Sequence, residues 1–505
     1  MELFWTIAGL ISFVGALLTI YGFVRWRKAV TPKELHKALD EQKRQILEGV
    51  QQEFNHYYGI AARPAEQLVA ASDQERLQLL AEATKAQHEA RYADAVQFLK
   101  RCLQSSLPPE EAAALHNLIG NSYMYMGQPR EAEPHYGQAL TLAEETSDDD
   151  ARAIALGNLG MVYGVYGDLG RAEEHFQQAL AIHRDTADRL GQANALGNLG
   201  NIYLLRGELD KAEHHHKQAL DIHERVDDRL GQANDLNNLG LAYRRRGELD
   251  KAEDQHEKAL SMHQEIGNRL GQANALGNLG IVYHWKGDLD RAEEHHRKAL
   301  AIDEVIGNKL AQADQLASLG MVFADRGDLD KAEEHYSKAL AIHHETGNKP
   351  AQAQDHGNLG NVYASRGELG KAEEHYRKAL AIHQEVGNKP HQAQSLGHLG
   401  NIYALKGDPD RADRHLKEAL QIYEQMGDKP GQAIQLTNLG LFTLQRGEVG
   451  EARDLLTRAR TLYEAIGAGG PGPETVRRAL ERLEPPSPPA PKRKRPRKKP
   501  PPKQP

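Results

Sequence analysis

The chain is poor in cysteine and in aromatic residues. Cys102 is its single cysteine, and only 6% of its 505 residues are aromatic. An internal disulfide, a cysteine-ligated zinc finger and a CxxC redox motif are therefore excluded. The single cysteine fits a reducing compartment without proving one.

Catalytic signatures are absent as well. The sequence contains no G-x-S-x-G, H-E-x-x-H or GxxxxGK[ST] motif, and no GxGxxG that follows a predicted strand. Cys102 lies at a small-residue packing position of a predicted helix, so we expect a buried, inert thiol. The sequence therefore predicts a protein that is not an enzyme and that needs no cofactor.

Net positive charge is confined to the two ends of the chain. The formal net charge is -8, although residues 491–505 contain eight basic residues and no acidic one. The body of the chain is accordingly strongly acidic. A reader of duplex DNA needs a basic face on its folded part, so nucleic-acid recognition by the body is not expected.

The beginning of the chain is uninterruptedly apolar. Residues 3–24 carry no charge and would span about 33 Å as a helix, enough to cross a bilayer. Arg25, Arg27 and Lys28 follow at once, whereas a cleaved signal peptide would have its positive charges before the apolar run. We expect an uncleaved, single-pass anchor with the N-terminus outside and the rest of the chain cytoplasmic.

A polar segment separates the anchor from the body. Thr31, Pro32 and Glu34 form a helix-start signature, with threonine as the N-cap and glutamate closing a capping box. Residues 31–71 are therefore predicted to be a juxtamembrane helical spacer.

A glycine recurs every 40 residues through most of the chain, and positions in each repeat are counted from it below. The recurring glycines are Gly120, Gly160, Gly200, Gly240, Gly280, Gly320, Gly360, Gly400 and Gly440. Position +3 is usually aromatic, position +7 is a second glycine, and positions +12 and +19 are alanine. Apolar residues at a spacing of three and four indicate helices, and no strand-like alternation is present.

This pattern, L-G-x2-Y…A-x3-[FYH]-x2-A, resembles the tetratricopeptide repeat (TPR). The 40-residue length resembles the arrays of the Pins/LGN adaptors and of kinesin light chain. The resemblance implies an all-α fold, a right-handed α-solenoid of about ten helix-turn-helix repeats, preceded by the transmembrane helix. Residues 72–109 would be a degenerate first repeat, 110–467 nine repeats, and 473–484 a polar capping helix.

The resemblance also implies a concave groove lined by the first helix of each repeat. Carried over to this sequence, the groove positions -6, -2 and +1 hold many asparagines, which can pair with either backbone group of an extended peptide. They are Asn158, Asn198, Asn201, Asn234, Asn238, Asn274, Asn278, Asn358, Asn361, Asn401 and Asn438. The alternative is that these asparagines bridge neighbouring repeats and were copied by duplication.

Two adjacent repeats have cationic and aromatic residues at positions +4 and +5. Arg244 and Arg245 are followed one repeat later by His284 and Trp285. Cations beside an aromatic ring suit an acidic or aromatic side chain of a ligand, although solvated helix-end charges are an open alternative. The basic residue at +6 ends nearly every first helix, and there the helix dipole is a sufficient reason.

Histidine is abundant, with 25 residues, mostly on the second helices. His175, His215 and their equivalents recur at +15, and His183, His223 and their equivalents at +23. Metal binding and pH sensing are the functional alternatives, and a zinc site would require three or four convergent ligands. Repeats space their equivalent residues along the array instead, so repeated packing residues are the preferred interpretation.

The end of the chain is rich in proline and in positive charge. Residues 485–505 cannot form a core, and we expect a disordered tail of polyproline character. Its candidate polyanion-binding residues are Lys492, Arg493, Lys494, Arg495, Arg497, Lys498, Lys499 and Lys503. Anionic lipid is the preferred partner, since the chain is already expected at a membrane.

Three functions remain open at this point. The preferred one is a membrane-anchored adaptor that binds an extended segment of another protein in its groove. The second is a tether for nucleic acid or anionic lipid through the tail, with the repeats as a spacer. The third is a scaffold that assembles with copies of itself by end-to-end stacking of its near-identical repeats.

Overall fold

The computed structural model describes residues 74–89, 91–104 and 107–483, and all regular structure in that part of the chain is α-helical. The predicted anchor (3–24), spacer (31–71) and basic tail (485–505) lie outside the described residues. None of the described helices has both the length and the apolar character that crossing a membrane requires. The expectation of an all-α array of paired helices is confirmed for the described residues.

The described residues form 21 helices. They are α1 (Gln74–His88), α2 (Tyr92–Cys102), α3 (Pro109–Tyr125), α4 (Pro129–Glu145), α5 (Asp149–Tyr166), α6 (Leu169–Asp185), α7 (Arg189–Arg206), α8 (Leu209–Arg225), α9 (Arg229–Arg245), α10 (Leu249–Glu265), α11 (Arg269–Trp285), α12 (Leu289–Ile306), α13 (Lys309–Arg326), α14 (Leu329–Glu345), α15 (Lys349–Ser365), α16 (Leu369–Glu385), α17 (Lys389–Leu405), α18 (Pro409–Met426), α19 (Lys429–Gln445), α20 (Val449–Ala465) and α21 (Pro471–Leu483).

The helices belong to two compact units, the first ending at Thr346 and the second beginning at Gly347. Within each unit, every odd-numbered helix from α3 to α19 packs against the next helix along the chain and forms one repeat with it. In the second unit α21 packs against α20 and buries Val476, Ala479 and Leu480.

Helix boundaries follow from side-chain caps and glycines. The Asn268 side chain accepts a hydrogen bond from the Gly271 N–H (3.0 Å) and so caps the start of α11. Before it, Gly267 adopts a positive φ of 73°, a left-handed conformation that ends α10 at little steric cost. Pro350 lies in the first turn of α15, where its missing N–H is harmless.

The first glycine of each repeat allows the two helices of that repeat to approach closely. A Cβ added to Gly240 would lie 2.6 Å from the ring of His256 on α10, closer than real atoms come. Ala252 and Ala259, at +12 and +19, have no exposed surface. Small residues on both helices thus make room for one large side chain at position +16.

A polar ladder joins several repeats to the one before. Tyr243 donates a hydrogen bond to Glu213 of the preceding repeat (2.8 Å), and Arg246 forms an ion pair with the same carboxylate (2.6 Å). The same triplet recurs as Tyr203, Arg206 and Glu173. The helix dipole is therefore not a sufficient reason for the basic residue at +6, because its side chain also holds the preceding repeat.

Glu213 is ionised in this arrangement. Burial alone would raise the pKa of its carboxyl, but hydrogen bonds from Lys217, Arg246 and Tyr243 outweigh burial and lower the pKa to about 2. A carboxyl whose pKa is depressed by folding stabilises the folded state above its unfolded pKa, and that contribution is lost as the pH falls toward 2.

We predict that Glu213→Gln lowers the free energy of unfolding by about 1–3 kcal/mol at pH 7, the usual contribution of hydrogen bonds to a charged group. Urea denaturation followed by circular dichroism measures the change. Glu224→Gln, at an exposed position of the same helix, is the matched control and should change stability by less than about 0.5 kcal/mol. Equal effects of the two variants would show that the ladder does not stabilise the array.

Candidate functional site

Consecutive first helices contact one another within each unit, for example α9 with α11 and α11 with α13. In each unit, the odd-numbered helices between α3 and α19 carry positions -6, -2, +1, +4 and +5 on one surface. We call this surface the first-helix face. The asparagines, arginines and tryptophan singled out from the sequence all lie at these positions.

Some asparagines at position -2 bridge repeats. Asn158 is fully buried, and its Nδ2 donates to Asn117 Oδ1 of the preceding repeat at 3.1 Å. Asn278 donates in the same way to Asn237 (3.1 Å). For these two residues, the alternative that the asparagines bridge neighbouring repeats therefore holds. The other asparagines at this position are partly buried, namely Asn198, Asn238, Asn358 and Asn438.

The asparagines at positions +1 and -6 are placed differently. Asn361 is exposed and accepts a hydrogen bond from the Tyr376 hydroxyl (2.6 Å), whereas Asn401 is simply exposed. Asn201 is half-buried, and its Oδ1 has no hydrogen-bond partner among the described residues. At -6, Asn234 and Asn274 are half-buried. The structure thus does not make one uniform ladder of these amides.

A cation and an aromatic ring meet on the first-helix face of the first unit. The guanidinium carbon of Arg244 on α9 lies 5.6 Å from the ring centre of Trp285 on α11, within the range of a cation–π contact. Trp285 remains 55% exposed although it is large and apolar. Arg245, beside Arg244, is also exposed, and its guanidinium donates to the Leu204 carbonyl oxygen at 2.5 Å.

The next first helix extends this cluster. His284 Nε2 on α11 lies 2.6 Å from Asp325 Oδ2 on α13. We call Arg244, Arg245, His284, Trp285 and Asp325 the central patch. It spans three consecutive repeats and combines two cations, one carboxylate and one exposed aromatic ring. Such a set can accept an acidic and an aromatic side chain of one extended ligand.

The first-helix face of the second unit carries exposed apolar side chains that the sequence analysis missed. Leu405, at +5, is 68% exposed, and Ile434, at -6, is 50% exposed. They occupy the same positions as Trp285 and Asn274 in the first unit. Reading those positions for apolar as well as polar residues would have found them.

Most histidines of the described second helices fall into three groups. Those at +15 pack against the aromatic residue at +3, as His215 does against Tyr203 with tilted rings (4.9 Å between ring centres). Those at +23 are buried, for example His223. In the part of the chain that the structure describes, no group of three or more histidine, cysteine or acidic side chains could hold a metal ion.

A third set of histidines, at +16, was also missed. His216, His256 and His296 are fully buried, and the Nδ1 of each lies within hydrogen-bond distance of a side-chain oxygen. For His216 and His296 that oxygen belongs to the following repeat, whereas for His256 it belongs to Asn237 of the same repeat. The signal was available, because other repeats have Phe176 or Leu416 at this position, where a core residue is required. Burial, followed by the charge of Arg244, lowers the pKa of His256 to about 3.

The tetratricopeptide repeat family model matches most of the chain. Its matches cover residues 110–185, 191–265, 236–305, 271–345, 312–385, 352–425 and 391–465. The predicted resemblance to the TPR family is thereby confirmed. No curated protein matches the sequence significantly.

Solved structures of similar fold have low sequence identity to this chain. The signal transduction ATPase with a tetratricopeptide repeat sensor from Pyrococcus horikoshii is 16% identical, with a TM-score of 0.55 over 90% of this chain and 67% of that one. A Rap protein complexed with competence and sporulation factor is 15% identical, with a TM-score of 0.50 over 70% and 99%. BtubC (BKLC) from P. vanneervenii is 22% identical, with a TM-score of 0.41 over 44% and 92%.

We predict that His256→Leu makes the array less sensitive to acid. A histidine whose pKa is lowered by folding stabilises the folded state fully above its unfolded pKa of about 6.5, and the contribution falls by about 1.4 kcal/mol per pH unit toward 3. Urea midpoints measured between pH 7 and pH 4 should therefore decline less in this variant. In the control His214→Leu, at an exposed position, the urea midpoint should decline as it does in the unmodified chain. Equal declines in all three proteins would contradict the lowered pKa of His256.

We predict that the asparagines separate into two classes on substitution. Asn278→Ala removes a bridge between repeats and should lower the free energy of unfolding by about 1 kcal/mol. Asn401→Ala, on an exposed side chain, should change it by less than about 0.5 kcal/mol. Urea denaturation distinguishes the two, and a large loss at Asn401 would mean that it too is structural.

Proposed function

We propose that this chain, which belongs to the tetratricopeptide repeat family, is an adaptor that binds an extended segment of another protein on its first-helix face. We assign it no catalytic role. The bound segment would lie across consecutive first helices, so that neighbouring repeats contact successive parts of it. Repeat arrays of this kind present long surfaces suited to such ligands.

The observation that carries this proposal is the central patch. Trp285 keeps more than half of its surface in water beside the guanidinium of Arg244. Tryptophan and arginine are the residues most often found at the energetic centre of interfaces. An acidic side chain would pair with Arg245, while an aromatic or apolar side chain would cover the Trp285 ring.

The asparagines of the first-helix face contribute less to ligand binding than their number indicates. Asn158 and Asn278 already use their amides to join repeats. Asn361 and Asn401 keep exposed amides, and these are available to the main chain of a ligand. We therefore propose that side-chain recognition at the central patch dominates, with main-chain contacts limited to the exposed asparagines.

The similarity to one solved complex supports the fold of this chain and nothing more. The Rap protein named above was solved with competence and sporulation factor bound. At 15% identity, what that protein binds is not transferred to this chain. The partner class proposed here rests on the central patch.

We further propose that the adaptor is held at a membrane by residues 3–24, with the repeats on the cytoplasmic side. The support is the length of the apolar run and the three basic residues that follow it. The basic residues between 492 and 503 would add an electrostatic contact with anionic lipid.

We predict that Arg244→Glu combined with Arg245→Glu weakens ligand binding at least tenfold, about 1.4 kcal/mol. The probe is a displayed library of unstructured peptides selected on the purified chain. Selected sequences should be enriched in acidic and aromatic residues, because these complement the central patch. Their dissociation constants follow from the change in Trp285 fluorescence or from calorimetry.

The matched control places the same charge change on second helices. Arg225→Glu combined with Lys258→Glu reverses two exposed cations of α8 and α10, and peptide affinity should change less than about twofold. Selection of no peptides at all, or equal losses in both double variants, would overturn the proposed role of the central patch.

A further inference from the structure

Position +23 is buried in every repeat, and one repeat places a carboxyl group there. The other repeats have alanine, histidine or tyrosine, for example Ala143, His263 and Tyr423. Asp303, near the end of α12, has no exposed surface. An aspartate is rarely fully buried unless it is paired, so this residue requires an explanation.

Two of the equivalent histidines lie close to a carboxylate. His183 Nδ1 lies 2.9 Å from Asp188, and His223 Nδ1 lies 2.8 Å from Asp235. Neither carboxylate oxygen of Asp303 has a hydrogen-bond partner among the described residues. The nearby donor of α13 is already engaged, since the Gln312 side chain donates to the Asp303 main-chain carbonyl (2.9 Å).

The residue that follows position +23 by eight residues varies between repeats. It is glycine after His223 and His263, where a Cβ would overlap the imidazole. It is alanine after Asp303, as it is after His343, so an alanine at this place is compatible with either side chain at +23. The repeat of Asp303 therefore differs in having no imidazole at +23 and no partner for a charged carboxylate among the described residues.

The charges that face Asp303 are few. Asp314 on α13 supplies the charge that acts on it, and it is of the same sign. The described part of α11, the other helix packed against α12, supplies none. His343 on α14 lies beside Asp314, with Nε2 3.8 Å from Asp314 Oδ1. On α12 itself, His296 is engaged with Gln315 (2.9 Å).

We propose that Asp303 is a proton-operated switch for the packing of α12 against α13. With the carboxyl protonated, the two helices pack as described above. Ionisation leaves a charge that is buried, unpartnered and repelled by Asp314, and it favours separation of the end of α12 from the first half of α13.

The pKa of Asp303 sets the range in which the switch works. Burial raises it, the charge of Asp314 raises it further, and the result is about 7. Since folding raises this pKa above its unfolded value of about 3.9, the closed state is most stable below that value and loses stability as the pH rises to 7. The opening equilibrium should increase up to about tenfold per pH unit in this window and level off above pH 7.

This inference is independent of the adaptor role, because it concerns the packing of two helices and needs no ligand. Its sign is also opposite to that of His256 and His296, whose pKa values are lowered by burial. Acid weakens the repeats through these two histidines, whereas it should tighten the contact between α12 and α13. Changing Asp303 alone separates the two effects, because both histidines remain in place.

Hydrogen exchange measured by mass spectrometry on the full chain tests the switch. Protection factors, corrected for the intrinsic exchange rate, are compared between pH 4.5 and 8 for residues 296–320 and for residues 129–166 as an internal reference. In the unmodified chain, protection of 296–320 relative to the reference should fall as the pH rises and level off near pH 7. In the Asp303→Asn variant, the relative protection of 296–320 should not fall as the pH rises.

Two further variants keep the test decisive. Asp303→His introduces the residue of the neighbouring repeats and should also abolish the effect, which covers the case in which the asparagine variant folds poorly. Asp314→Asn should move the levelling-off to lower pH, because it removes the repulsion that raises the pKa of Asp303. Unchanged relative protection in the unmodified chain, or a pH dependence in both Asp303 variants that equals that of the unmodified chain, would overturn the proposal.

Discussion

The close approach of two helices at a glycine is the constraint on which the rest of this structure depends. At Gly240 there is no room for a Cβ beside the His256 ring, and the same contact recurs in the other repeats, for example at Gly200 and His216. This contact fixes how the two helices of a repeat face each other. The first helix then presents the same positions outward each time, so chemistry at +4 and +5 is aligned between neighbours.

Much of the fold could be predicted because its determinants are local. Glycine at a helix end and proline in a first turn act through backbone conformation, and Gly267 and Pro350 occupy those places in the structure. Cys102 is buried, as the small-residue pattern indicated. The spacing of apolar residues and the size of the side chains therefore suffice to predict the helix pairs, without knowledge of contacts between residues distant in sequence.

The side-chain roles could not be predicted in the same way because they depend on the neighbouring repeat. Asn158 and Asn401 are the same residue type on the same kind of helix, yet only Asn158 meets another amide, that of Asn117. Arg246 ends a first helix where the dipole alone would explain it, and its partner Glu213 is found only once the repeats are stacked. Near-identical repeats thus differ in the contacts that their side chains make with the neighbouring repeat.

The adaptor account makes the first-helix face of the central repeats the contact surface. A photo-crosslinking amino acid placed at Trp285 in the full chain, in the source cells, tests this most directly, with the same probe at His214 on a second helix as the comparison. The account predicts a discrete crosslinked protein from position 285 that is absent from position 214. No product at position 285, or the same products from both positions, would contradict it.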